Sequence, residues 1–208
     1  AMQHIASAVR LAEANGNERE KSHVATLALA IGGQGARALD SALAHADRWP
    51  RDVIILGLPL GAFGLFAFSG MRDHDQARVD HCERHAAQFA DDDWWFQTYR
   101  GWSHAENGDL TLGLDLARKG FEQRRANANG AHAVSHALFE AGATDEAESF
   151  IGTWLPTYDR SGVLHGHIAW HEALSALERG DASRALHIYG QHVQPSASQG
   201  LPINIVTD

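Results

Sequence analysis

The stretch WFQTYRGWSHAENGDLTLGLDLARKGFEQRR, residues 95–125, holds one complete beat of a repeat. An apolar-periodic run closes at Gly108-Asp109. A second run follows, with a small residue, Gly113, five positions beyond the turn glycine. The same beat recurs along the chain. Turn glycines fall at Gly33, Gly70, Gly108, Gly142 and Gly180, spaced 37, 38, 34 and 38 residues apart. The small residue that follows is Ala38, Ala77, Gly113, Ala147 or Ala185. A period in the mid-thirties is what stacked helix–turn–helix units produce, because each unit buries its apolar stripe only against its neighbours.

The bulk properties agree. With 208 residues, 44% of them hydrophobic, the chain can bury a core. No apolar run reaches bilayer-spanning length. The richest, residues 53–68, is broken by Gly57, Pro59, Gly61 and Gly64 and reads as a buried, irregular inner helix. The formal net charge of −9 argues against nucleic acid and against an anionic membrane surface as partners, since both need clustered Lys and Arg. A lone cysteine, Cys82, excludes an internal disulfide framework and fits a reducing compartment, so a cytoplasmic location is expected. Residues 1–10 are amphipathic and lack the apolar core of a secretory segment. Both ends are abrupt, residues 201–208 stopping without a cap, so a piece of a longer chain is expected. Histidine is the compositional outlier, with 14 copies.

Punctuation places the helices. Asn15-Gly16 closes the first. Residues 22–31 and 36–48 pair around Gly32-Gly33. The tetrad Gly32-Gly33-Gln34-Gly35 reads as an inter-helix turn, because it follows no strand and lacks the Lys-Ser/Thr of a phosphate loop. Pro50 stops the pair, and Asp52 is expected to cap the helix starting at Val53. Asp73 opens its partner, which runs to about Phe89. Asp91-Asp92-Asp93 starts the next helix, with acid at the positive dipole end. The remaining pairs are 94–107 with 110–125, 131–141 with 145–158, and 164–179 with 182–193. Thr144 is the expected cap of the helix beginning at 145, and Asp109 and Asp181 cap the helices that follow their glycines. Pro195 ends the last clear helix, and residues 203–207 are the only β-branched run. No long linker interrupts the series. Residues 1–208 are therefore expected to form a single helical-repeat domain, an all-α, right-handed solenoid of stacked antiparallel helix pairs.

The unit 95–125, with Gly101 seven residues before Gly108-Asp109, resembles the tetratricopeptide pattern. His104 stands where the consensus has tyrosine, and Gly113 where it has the second-helix alanine. A closer likeness lies in the order of His-Ala-Val-Ser-His (132–136), Phe150 to Trp154, His-Gly-His-Ile-Ala-Trp-His (165–171) and Ala-Leu-His-Ile-Tyr (185–189). This order resembles the tetratricopeptide repeat protein 38 family from about Ser22 to Pro195. Members are typically longer. The resemblance implies a tetratricopeptide-like repeat fold, with the first helix of each pair lining a concave surface. It implies no particular reaction.

On a helix, positions i, i+4, i+7 and i+11 share one face. Trp95, Tyr99, Trp102 and Glu106 follow that spacing in one first helix. His132, His136 and Phe139 do so in the next, with Glu140 at the margin. His167, His171, Leu174 and Glu178 do so in the last. Glu106, Glu140 and Glu178 each sit two residues before a turn glycine, so stacking sets them at equal heights. The result would be a groove with aromatics at one end, imidazoles in the middle and a carboxylate rim. Trp95 and Tyr99 read first as core, while Trp102 and Trp170 are open to core or ligand platform.

The sharpest motif is the doubled His-x-x-x-His, His132/His136 and His167/His171. Imidazoles at i, i+4 can share one metal ion, and two such pairs on adjacent helices offer up to four nitrogens. His104, Glu140 or Glu172 would then be further ligands or orienting groups. The same imidazoles also suit a buried polar network, which is the first reading, or a metal-free ligand or acid–base site. His81/His85 is a third such pair, on a second helix, and reads as a surface pair. Ser135 points away from both neighbouring histidines, so no Ser–His dyad is expected. Arg118, Lys119, Arg124 and Arg125 form the one basic patch and complement a helix C-terminus.

These readings predict a protein that binds a peptide, a partner protein or a small polar ligand in its groove. The expected contacts are Trp102, Glu106, His132, His136, Glu140, His167, Trp170 and His171. The alternative is a hydrolase for a small polar substrate, dependent on imidazole or a divalent transition metal held by His132, His136, His167 and His171.

Overall fold

All five turn glycines adopt the left-handed backbone, with φ of 73° at Gly33, 76° at Gly70, 90° at Gly108, 68° at Gly142 and 78° at Gly180. Only glycine takes this conformation without a steric penalty, which is why the beat is kept by glycine. The computed structural model describes residues 1–200 and 202–208, without the side chain of Ile203, and these residues contain helices and no strand. Leu201, part of the expected uncapped end, lies outside the described residues. The chain divides into two compact units, Ala1–Ala90 and Asp91–Asp208.

The first unit contains α1 (Met2–Asn15), α2 (Glu18–Ile31), α3 (Gly35–Arg48), α4 (Val53–Gly57) and α5 (His74–His85). Asn17 and Glu20 form a reciprocal capping box that starts α2 one turn before the expected residue 22. The inner helix expected over 53–68 is only α4. After Gly57 the chain runs through turns to α5. Pro59, Gly61 and Gly64 explain the loss: Pro59 offers no amide donor, and the Leu60 carbonyl passes too close to Gly64 for any side chain. The segment still buries Leu60 and Phe66 but leaves Phe68 70% exposed.

A second correction concerns His81 and His85. They are not a surface pair: they are 5% and 4% exposed, with Cys82 buried between them. The rings meet edge to face with centroids 5.1 Å apart, and the His81 Nε2–H donates to the Leu56 carbonyl at 3.1 Å. The stripe Arg78, Val79, Cys82, His85 marks this face as the inner one. Burial pushes the His81 pKa down to about 4 and lowers that of His85.

The second unit contains α6 (Trp94–Glu106), α7 (Leu110–Gln123), α8 (Ala128–Glu140), α9 (Thr144–Trp154), α10 (His165–Glu178), α11 (Ala182–Ile188) and α12 (Pro202–Thr207). Asp93, Asp109 and Asp181 cap α6, α7 and α11 through the backbone amides of Phe96, Leu112 and Arg184. Thr144 is not a cap. It is the first residue of α9, and Ala143 holds the cap position with no side-chain bond. The β-branched residues 203–207 lie in α12, not in a strand. Its partner α10 supplies the packing that overrides strand propensity.

The α6/α7 crossing is the tightest in the unit. A Cβ on Gly113 would lie 2.5 Å from the Ala105 backbone nitrogen, and one on Gly101 would strike the Ala117 backbone nitrogen. This is why glycine replaces the consensus alanine at 113. The core continues through Phe121, Val134, Leu138, Ile151, Trp154, Ile168 and Ile188.

Two outcomes follow. Gly113→Val is expected to destabilise the chain by about 2 kcal/mol or more, because backbone must shift to admit the side chain; urea unfolding measures it. His81 binds a proton in the unfolded chain below its ordinary value near 6.5 but in the folded chain only near 4. Stability is therefore expected to fall as pH drops from 6.5 towards 4, by on the order of 1–3 kcal/mol from this residue. A flatter pH profile in His81→Gln unfolding curves checks the assignment.

Candidate functional site

The leading helices α6, α8 and α10 lie side by side in the second unit, α6 against α8 and α8 against α10. Ala131, Ala133 and Ala137 of α8 and Ala169, Ala173 and Ala176 of α10 are buried in the packing of these helices. The i, i+4 spacing then brings two histidine pairs together.

The four imidazoles converge. Ring centroids are 4.4 Å apart for His132/His136, 4.8 Å for His132/His167, 4.3 Å for His136/His171 and 4.9 Å for His167/His171. One nitrogen from each lies within 4.8 Å of the others. The Nε2 atoms of His132 and His167 are 2.9 Å apart. Two carboxylates stand behind the cluster. Glu106 accepts from the His136 Nδ1–H at 2.8 Å, and Asp208 accepts from the His167 Nδ1–H at 2.9 Å. Those bonds fix the tautomers and leave the Nε2 of His136 and of His167 as acceptors. The His132 Nε2–H must therefore be the donor to His167. His171 is only 3% exposed, and neither of its ring nitrogens has a hydrogen-bond partner. Burial holds His132 and His171 well below the usual histidine pKa, with repulsion from the neighbouring imidazoles adding to it.

The aromatic residues divide. Trp170 is half-buried and stacks on His167 with centroids 5.5 Å apart. Trp102 is 4% exposed and belongs to the core, reaching His136 edge to face at 6.4 Å. Trp95 and Tyr99 are half-buried and pack on each other at 4.9 Å. The expected carboxylate rim is uneven: Glu106 is tied to His136, while Glu140 and Glu178 are exposed and outside the cluster. Of the other candidate orienting groups, His104 faces Asp109 at 4.0 Å and Glu172 accepts from Arg184 at 2.7 Å, so neither joins the imidazoles. Ser135 donates back to the Ala131 carbonyl at 2.8 Å, as expected of a residue with no histidine partner. In the basic patch Arg118 pairs with Glu146, Arg125 with Glu122, and Arg124 lies 4.7 Å over the Trp94 ring.

Two features escaped the sequence reading. Asp52 does occupy the N-cap of α4, but its carboxylate makes no capping bond. It accepts instead from Arg19 Nη1 and His23 Nδ1, both at 2.9 Å, and from His45 Nε2 at 3.3 Å. Ser22 Oγ donates to His45 Nδ1 at 2.8 Å. Burial disfavours the Asp52 anion, yet the bonds and charge of His23 and His45 outweigh it and hold its pKa below the ordinary value. The stripe Ala38, Ala42, His45 was the available signal for an inward histidine on α3. The second feature is a cavity of about 730 Å³ on the trailing helices α7 and α9, lined by Phe121, Arg125, Glu146, Phe150, Trp154 and Tyr158. The Phe121 and Phe150 rings meet at 5.1 Å, and Trp154 stacks on Tyr158 at 5.0 Å.

No family model matches the chain. Solved structures of MamA, a tetratricopeptide-like helical protein, are similar in fold. MamA MSR-1 superposes with a TM-score of 0.55 at 19% identity, covering 83% of this chain and 92% of that one. A second MamA crystal structure gives 0.58 at 11% identity, over 85% and 90%. MamA AMB-1 gives 0.51 at 20% identity, over 83% and 88%. At these identities the likeness shows the fold: all-α and tetratricopeptide-like.

Removing the Asp52 carboxylate leaves the His23 and His45 donors and Arg19 without their common acceptor. Asp52→Ala is expected to cost about 2 kcal/mol at pH 7. Because the folded pKa is depressed, that contribution is present above the ordinary carboxylate value and disappears as pH falls through the folded one. Denaturant midpoints of the two proteins at pH 7 and pH 3 should therefore converge at the lower pH.

Proposed function

We propose that the chain is an interaction module that holds a peptide or partner protein on the face formed by α6, α8 and α10. One observation supports this reading. Three consecutive leading helices bring Glu106, His136, His132, His167 and Trp170 into one series whose members are only partly buried. In repeat scaffolds such a face is continuous across units, and its polar groups are oriented by the stack before any partner arrives. Trp102, Glu106, His132, His136, Glu140, His167, Trp170 and His171 are the assigned contacts or their supports. Trp170 offers a flat apolar surface with a polar edge. Glu106 and Glu140 supply negative charge, so basic or polar groups on the partner complement it. Trp102 and His171 act from below, by holding their neighbours.

Within this fold class the chain is assigned to the tetratricopeptide repeat protein 38 family, on the strength of the ordered histidine and tryptophan motifs of residues 132–189. A cytoplasmic setting accords with its single, buried free thiol, Cys82.

Random-library peptides selected against the purified chain, in the presence of a chelator, test the assignment. The expected peptides are rich in Lys or Arg, bind more weakly at high salt, and lose about tenfold in affinity, or about 1.4 kcal/mol, against the Glu106→Gln/Glu140→Gln double variant. Peptides that protect α7 and α9 from hydrogen exchange, and ignore that variant, would move the site to the cavity beside Trp154.

A further inference from the structure

We infer that His132, His136, His167 and His171 form a tetrahedral site for a single divalent transition-metal ion, with Zn²⁺ as the fitting probe. The inference goes beyond partner binding and needs no partner. Three independent features point to it. One nitrogen from each of four imidazoles already lies within 4.8 Å of the rest, on two adjacent helices with i, i+4 pairs. Two of the rings are turned by carboxylates, Glu106 on His136 and Asp208 on His167, in the arrangement that presents Nε2 to a metal and raises its basicity. The fourth ring, His171, is more than nine-tenths buried with both nitrogens unpartnered, and it lies against the other three.

A metal-free network does not account for that ring. A polar network justifies buried imidazoles by pairing their nitrogens, and here one N–H and one lone pair of His171 stay unpaired. An ion takes up the Nε2 lone pair of His136, and that of His167 in place of the bond from His132. It takes one from His171 and one from His132, whose Nε2 proton moves to Nδ1, so all four ligands remain neutral imidazole. The surrounding charge is favourable, because Glu106 and Asp208 offset the dication.

Four protein nitrogens fill a tetrahedral shell. Closed shells of this kind are structural, whereas catalytic zinc keeps one position for water. The ion is therefore assigned to clamping α8 to α10, and hydrolysis at this cluster is not proposed. The contrasting group in the first unit, His23, His45 and Asp52, also has the spacing of a metal site. There the acceptor Asp52 is already engaged by Arg19, His23 and His45. No ring in that group is left in the state of His171.

The test uses the full chain, purified without a histidine tag, stripped with chelator and titrated with Zn²⁺ against a chromophoric competitor. One tight equivalent per chain is expected, and Co²⁺ should give the visible absorption of a tetrahedral nitrogen site. Glu106→Gln, which keeps the fold and all four ligands, should weaken Zn²⁺ by 10–100-fold. His171→Asn should abolish the tight equivalent, while His23→Ala should leave it intact. Wild-type protein that takes up no stoichiometric Zn²⁺, or only octahedral Co²⁺, overturns the inference without reference to any variant. Loss of the tight equivalent in His23→Ala but not in His171→Asn overturns it as well. Peptide binding measured in chelator is a separate readout, so failure of either assignment is distinguishable from failure of the other.

Discussion

The candidate site depends on how α8 and α10 lie beside one another, since His132 reaches His167 at 2.9 Å only across that pair of helices. The apolar core that includes Val134, Leu138, Ile151 and Ile168 holds both helices in place. The histidines are thus brought together by packing in the core. Burial and the neighbouring imidazoles lower the proton affinity of His132 and His171, so the rings do not hold the helices together by themselves. The cluster is a site of stored polar cost, held by apolar packing around it.

The trailing side is fastened differently. Arg179 pairs with Asp145 and Glu148, and Arg184 with Glu148 and Glu172, tying α9, α10 and α11 with charge. Glu172 is buried enough that desolvation raises its pKa despite Arg184. Carboxylates are engaged on the leading face as well, Glu106 by His136 and Asp208 by His167, and that face differs in setting four imidazoles together. The proposed interaction role on α6, α8 and α10 rests on that series.

Much of the architecture was legible from glycine alone. A left-handed turn leaves a residue type as its trace, and each glycine of the five-beat series stands at such a turn, while Gly61, also left-handed, falls outside the beat. Aspartate after glycine was equally readable at 109 and 181, where the carboxylate reaches the third amide of the next helix. The convergence of the histidine pairs followed from helical spacing and stacking. What stayed hidden depended on competition between partners. Asp52 has the residue type and position of a cap, but two histidines and an arginine outbid the amides for its oxygens. His81 and His85 looked exposed because second helices were assigned an outer face, whereas Phe66 of the broken segment meets the His81 ring at 6.0 Å and Asp47 of α3 lies 3.8 Å from His85. Asp208 lies 41 residues from His167, a separation at which no local pattern pairs them. Trp102 could be core or platform on spacing alone, and only its burial decides.

The most direct measurement is anomalous diffraction at the zinc edge from crystals of the chelator-treated chain grown with equimolar Zn²⁺. The account predicts one strong peak enclosed by His132, His136, His167 and His171, about 2.0–2.1 Å from a nitrogen of each ring. Rings that turn away from one another, or a peak found only at surface histidines, would contradict it.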